Sequence, residues 1–303
     1  MKYYIGYAKD PEIRQKGAGG GIVTALLLYL LRTKKVDGVI VCGQVDKDLN
    51  VKMQIVTKEE DVINAAQSRY IDFTLENIVK TLREDKGDKK YAVVGVSCNF
   101  RTLKSFVSDK IKYWFGLYCG VGLKKEGTEA ILKRLNIKLE DVEKLDYRYG
   151  DDYGGFRVIL KNGKTKFVSK DAFNYLFTLY MPLKCFPCND FFNEYADVSF
   201  GDCWFKKNYT SILPWNEHGL KLIQEADNIE IEEVDKFKFF DQHKHSVKLK
   251  ANTLDMRNYK WIMEKMPLPI LELSAKIMKK VKKFKKEEPK VNVILPEPDI
   301  YKD

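Results

Sequence analysis

Short apolar runs alternate with segments of helical character over the first 135 residues, and this alternation constrains the fold more than any other feature of the chain. Residues 2–7, 38–42, 52–57, 91–97 and 112–118 are rich in Val, Ile, Tyr and Phe, side chains that fit a pleated, half-buried surface. Between them, residues 22–32, 59–66, 73–83, 99–107 and 125–135 read as helices, the first apolar nearly all round and therefore buried. Such alternation predicts an α/β fold with α+β character: a mixed, largely parallel sheet with covering helices. Residues 156–160 and 164–168, joined by Asn162-Gly163, add an antiparallel hairpin. A cysteine-rich loop region follows from Cys185 to Trp204.

The reading divides the chain into three regions: 1–88 with a glycine-rich loop, 89–252 with most of the cysteines, and a helical extension and tail over 253–303. The apolar stretch 22–31 is about half of what a membrane helix needs, so no membrane span is expected. The N-terminus MKYYIGYAKD has no apolar signal-peptide core. These features predict a cytoplasmic protein, in which clustered cysteines point to metal or redox chemistry before disulfides. The net charge of +10 favours an anionic partner. No RNP, zinc-finger or basic-zipper pattern accompanies it, so specific nucleic-acid binding is not expected. Part of the excess is a lysine run, Lys279 to Lys286, that reads as a solvated helix or as a docking face for an acidic partner.

Cys98 and Cys119 each lie just past a predicted strand, where parallel α/β sheets bind ligands. Cys185 and Cys188 form a C-x-x-C pair. These thiols, from three separated segments, meet the ligand count of a [4Fe–4S] cluster. They meet that of a Cys₄ zinc site equally, which would make the chain a zinc-stabilised binding module. Scattered core cysteines are the third reading, best suited to Cys42. Cys203, in Gly201-Asp202-Cys203-Trp204, could replace any one of the four.

The loop Gly17-Ala18-Gly19-Gly20-Gly21 immediately precedes the first buried helix, which continues through Thr24. Such a loop can bring backbone N–H groups to a phosphate, or it can be a tight helix-entry turn. It fails the dinucleotide pattern G-x-G-x-x-G because Ile22 holds the third glycine position. A second polar loop, Gln67-Ser68-Arg69-Tyr70, combines a cation with an aromatic ring suited to a pyrophosphate and a flavin or deazaflavin ring.

In this order the pieces resemble the beta subunits of the coenzyme F420 hydrogenases and dehydrogenases. GAGGGIVTALLLYLL with VDGVIV, INAAQSRY, GVSCNFRTLK, FGLYCGVG and KCFPCNDFFNEYADVSFGDCW are similar to five ordered blocks of that family. Ser97, Asn99, Gly120 and Gln67 depart from its pattern, and no ferredoxin-like cysteine segment is present. The resemblance implies an oxidoreductase that holds FAD and a [4Fe–4S] cluster. It would pass electrons between an iron–sulfur donor or acceptor and coenzyme F420, with hydride transfer at the flavin. Cys98, Cys119, Cys185 and Cys188 would be cluster ligands, and Gly19, Gly20, Gly21, Thr24, Ser68, Arg69 and Tyr70 the flavin neighbourhood. No side-chain acid or base is required. A ferredoxin or a hydrogenase or dehydrogenase subunit would be the electron partner, with room for a homo-oligomer. A related flavin and iron–sulfur reductase of another substrate is the alternative within the family.

Overall fold

The computed structural model describes residues 2–150 and 154–251, together with residue 270. The predicted C-terminal extension, its lysine run and its tail lie outside the described residues, apart from residue 270. In chain order the first part runs β1 (Tyr3–Ala8), α1 (Pro11–Lys16), α2 (Ile22–Arg32), β2 (Gly38–Cys42), β3 (Met53–Val56), α3 (Glu59–Asn64) and α4 (Glu76–Glu84). It continues through β4 (Tyr91–Gly95), α5 (Ser97–Val107), β5 (Ile111–Leu117) and α6 (Lys125–Arg134). Then follow β6 (Val142–Tyr149), β7 (Gly155–Leu160), β8 (Thr165–Ser169), α7 (Lys170–Leu179), β9 (Val198–Asp202) and β10 (Thr210–Pro214). The last elements are α8 (Glu217–Glu225), β11 (Ile229–Val234), α9 (Lys236–Asp241) and α10 (Lys244–Ala251).

Eight strands form one sheet in the order β11-β1-β10-β9-β5-β4-β2-β3. Its centre is parallel, with β9 beside β5, β5 beside β4 and β4 beside β2. Antiparallel strands flank that centre: β3 at one edge, and β10, β1 and β11 at the other. Strands from both sides of residue 88 therefore share one sheet. β6, β7 and β8 make a separate antiparallel sheet. The predicted hairpin is two of its strands, and β6 joins as a third that the charged run VEKLDYRY does not announce.

Alternation along the strands splits the core over the two faces of the large sheet. Val39 and Val41 pack on the α2 side, whereas Ile40 between them packs on the opposite side with Phe100 and Leu103 of α5. Tyr113, Trp114 and Phe115 divide the same way, as the period of a pleated strand requires. α2 buries Leu26, Leu28 and Leu30 completely, each contributing about 1.5–3 kcal/mol through burial. The small sheet closes a third core, in which Phe156 and Phe173 stack with α6 residues Ile131 and Leu132 nearby.

The parallel centre is fastened to the chain that follows β5. Asp197 accepts the Trp114 backbone N–H through Oδ2 at 2.8 Å and the Asn216 side chain through Oδ1 at 2.8 Å. The Trp215 indole donates to the Ser199 hydroxyl at 2.8 Å. These bonds satisfy polar groups that the packing of β9 against β5 removes from water.

Candidate functional site

Four adjacent parallel strands end in or just before a cysteine at the same edge of the sheet. Cys42 closes β2, Cys98 follows β4 in the first turn of α5, Cys119 lies two residues past β5, and Cys203 is the residue after β9. The shared position does not give a shared environment. Cys98 and Cys119 meet Cys185 and Cys188, and these thiols lie in one another's field. Cys203 is 1% exposed and turns instead to the backbone N–H groups of Lys206 and Phe205 and to Ser211. Cys42 faces Arg69, and its burial pushes the thiol up to about 11.

The C-x-x-C loop is held against the ends of β4 and β5 by bonds of its own. Cys119 donates its N–H to the Phe191 carbonyl at 2.9 Å, and Asn193 Nδ2 donates to the Gly95 carbonyl at 3.0 Å. Asn193 adopts a left-handed backbone with φ 62°, held by donation of its N–H to Asp190 Oδ1 at 2.7 Å. A side chain at Gly116 would collide with Ala196 and Asn193, so the glycine in β5 permits this close approach. The Gly122 N–H reaches Cys185 Sγ at 3.4 Å, a donor that favours thiolate over thiol.

Burial pushes these thiols upward, Cys119 to about 12 and Cys98 and Cys185 in the same direction. Two lysines work against it. Lys184 pairs with Asp72 at 2.5 Å and draws Cys98 down. Lys250 of α10 is 2% exposed, donates to Cys188 and lies in the field of Cys119 and Cys185. Burial lowers the Lys250 ammonium, but the three thiols outweigh it and hold it above the usual lysine range. Among the described residues no group of three or more His, Cys, Asp or Glu side chains is arranged to hold a metal ion. The thiols are neighbours in charge without being drawn onto one point.

The glycine loop lies at the end of β9. Gly20 and Gly21 have φ of 70° and 73°, conformations in which glycine carries no steric cost. A Cβ at Gly20 would stand 2.8 Å from Thr210 Oγ1, and one at Gly21 would stand 2.6 Å from the Ile13 carbonyl oxygen. Both glycines therefore serve the turn and its packing, Gly20 on β1 and β10 and Gly21 on α1. Gly19 differs: a Cβ there would find Asp202 Oδ1 at 3.5 Å and the Tyr209 carbonyl oxygen at 3.6 Å, ordinary contacts.

Arg148 ties this loop to the polar loop after α3. Its guanidinium donates to Asp202 at 2.9 and 3.1 Å and to the Ala18 carbonyl at 3.1 Å. Burial disfavours its charge, but Tyr70 and Asp202 more than offset this and raise its affinity for the proton. Arg148 Nε and Gln67 Oε1 are buried without a hydrogen-bond partner, although Gln67 Nε2 donates to the Lys16 carbonyl at 2.7 Å. Tyr70 packs edge-on against Tyr147 and Phe177, and Ser68 is half-buried beside it. Thr24 is buried on α2. Arg69 turns to its own segment and donates to the carbonyls of Ala65, Ala66 and Gln67 at 2.6–2.7 Å, capping the end of α3. Arg148 and Lys250 carry no motif. Lys184 and Asp202 lie within the block KCFPCNDFFNEYADVSFGDCW but have no role there that the sequence singles out. Contacts distant in sequence bring all four here.

These features define a class: an α/β protein with a thiol site and a glycine loop at the carboxyl ends of parallel strands, where such folds bind ligands. Residues 3–80 match the family described as the N-terminal part of the coenzyme F420 hydrogenase/dehydrogenase beta subunit, and residues 88–238 match its C-terminal part. The chain belongs to the coenzyme F420 hydrogenase/dehydrogenase beta-subunit family, a family of oxidoreductases. It is 28% identical to the coenzyme F420 hydrogenase subunit beta of Methanococcus voltae over 76% of this chain and 84% of that protein. It is 29% identical to the coenzyme F420-dependent sulfite reductase of Methanocaldococcus jannaschii over 78% of this chain, yet spans only 39% of that longer protein. In fold it resembles a chain of the F420-reducing [NiFe] hydrogenase complex from Methanosarcina barkeri, with TM-score 0.67, 24% identity, and coverage of 85% of this chain and 90% of that one.

Proposed function

We propose that the chain is an electron-transfer subunit that holds FAD and a [4Fe–4S] cluster and exchanges electrons between coenzyme F420 and an iron–sulfur partner. The observation that carries this reading is the convergence of Cys98, Cys119, Cys185 and Cys188, from three segments, beside the buried Lys250. That donor set meets the need of a cubane cluster for one thiolate at each iron. At the other site, the unpartnered Arg148 Nε and Gln67 Oε1, with the uncrowded Gly19 beside Asp202, suit a cofactor with hydrogen-bonding edges. When bound, the flavin and the cluster supply the exchange between hydride transfer with F420 and single-electron transfer.

The chain's own residues bind, orient and exclude water. Arg148, held by Asp202, fixes the glycine loop against the polar loop. Asn193 and the Phe191 carbonyl set the thiol loop at the strand ends. Tyr118, with its ring buried among Phe191, Phe192 and His243, helps keep water from the thiols. The relatives named above include a hydrogenase subunit and a sulfite reductase, and another is the F420-dependent formate dehydrogenase subunit beta of Methanocaldococcus jannaschii. Coenzyme F420 is common to their names and the second substrate is not, so the partner reaction is left open in this reading. Among the described residues no helix is long and apolar enough to cross a membrane, and a cytoplasmic location is part of the proposal.

Anaerobic purification tests the reading. Iron, acid-labile sulfide and flavin should be found with the chain, and F420 should be reduced with a viologen dye as donor. One zinc without iron would replace the cluster reading with the structural-metal one. Flavin and iron with no F420 turnover would point to a different acceptor.

A further inference from the structure

The helix α10 brings a charge to the thiol site from outside the matched family regions. Those regions end at residue 238, and α10 begins at Lys244. The helix is anchored at its start by His243, which is 1% exposed within 6 Å ring contacts of Tyr118, Phe191, Phe192 and Phe239. Tyr118 precedes Cys119, and the Phe191 carbonyl accepts the Cys119 N–H. The anchor therefore rests on the residues that place Cys119. Seven positions on, about two helical turns and so on the same side, Lys250 reaches the thiols.

The orientation of the helix reverses the usual preference. Leu249 is 41% exposed while its neighbour Lys250 is 2% exposed and donates to Cys188. Lys244 and Lys248 of the same helix stay in solvent. Burying an ammonium costs several kcal/mol unless anions meet it, a need that thiolates bound to a cluster would meet.

We propose that Lys250 is a positioning residue that holds a fixed positive charge beside the cluster bound by Cys98, Cys119, Cys185 and Cys188 and raises its reduction potential. The inference rests on the cluster reading above. Four thiolates give the cluster a net negative charge, and taking up one electron makes it more negative. A nearby ammonium stabilises the reduced form more than the oxidised one.

The test uses the full-length chain, prepared anaerobically with iron and sulfide measured, and a dye-mediated potentiometric titration followed by electron paramagnetic resonance. In Lys250→Met, which keeps length and loses charge, the ratio of reduced to oxidised cluster at a fixed potential should fall about tenfold, or 59 mV for a one-electron couple. Lys250→Arg should stay within about threefold of the parent. Loss of the cluster from Lys250→Met with retention in Lys250→Arg would also support a role of the charge. A full cluster with an unchanged potential in Lys250→Met would overturn the inference, as would equal shifts or equal cluster loss in both variants. A parent protein without iron would overturn the cluster reading as well, which separates the two failures.

Discussion

The thiol loop and the glycine loop meet the same sheet, one at the ends of β4 and β5 and the other at the end of β9, and they use their residues in opposite ways. At the thiol site, side chains from three segments converge although nothing in the local backbone requires it. Cys98 lies in the first turn of a helix, Cys119 lies two residues past a strand, and Cys185 and Cys188 sit on a loop fastened by Asn193. At the glycine loop, the residues that look most like a cofactor signature are consumed by packing: Gly20 against Thr210 and Gly21 against Ile13. A local motif can be fully explained by the turn it makes. A convergence of distant thiols calls for another explanation, and that is why the cysteines carry the functional reading.

The strongest way to break this contrast is at the cysteines. Cys98→Ser, Cys119→Ser, Cys185→Ser and Cys188→Ser should each lower iron per chain by more than about tenfold, since even residues that only support ligands account for 10–100-fold in metal affinity. Cys203→Ser should leave iron unchanged, because its thiol bonds within its own turn and to Ser211. Iron and sulfide assays on the five variants decide the ligand set. Equal iron loss from Cys203→Ser would end the distinction between strand-end cysteines.

The contrast also explains what could be read from the residues alone. The apolar alternation predicts α2 and β2 with their observed bounds, because their burial on both faces leaves a strong pattern. β11, with the run IEIEEV, is an edge strand whose glutamates face solvent, and its identity depends on pairing with β1. β6 is equally charged, and its identity depends on pairing with the neighbouring β7. Within the site, position past a strand was legible for Cys98 and Cys119, whereas the stretch before Cys203 reads as loop and is the central strand β9. The direction of each side chain was not legible. Arg69 reads as a free cation in sequence, whereas its donors close the end of α3. Lys250 is one lysine among many until α10 folds back over the thiols.

Acid should loosen the element that carries Lys250. Burial holds the His243 imidazole at about 4, below its ordinary 6.5. Below pH 6.5 the unfolded chain takes up a proton that the folded chain refuses until about pH 4. Stability is therefore lost as pH falls through that window, by up to about 3 kcal/mol. Denaturant unfolding at pH 7 and pH 5 should show the loss in the parent and a smaller one in His243→Phe. An identical pH dependence in both would remove the histidine as its cause.

The smallest effects test the glycine loop itself. Gly20→Ala places a side chain at φ 70° and against Thr210, and should destabilise the fold by about 1–3 kcal/mol, measurable as a lower denaturation midpoint with unchanged slope. Gly19→Ala meets only ordinary contacts, so its effect on stability should stay within about 0.5 kcal/mol. If the face of Gly19 is where the flavin approaches, that same methyl group should weaken flavin retention while leaving iron content and the unfolding midpoint intact. Flavin and iron per chain, measured on one preparation, separate these outcomes. Unchanged flavin in Gly19→Ala would mean that all three glycines serve the turn, and the cofactor would then have to be sought along Arg148 and Tyr70 instead.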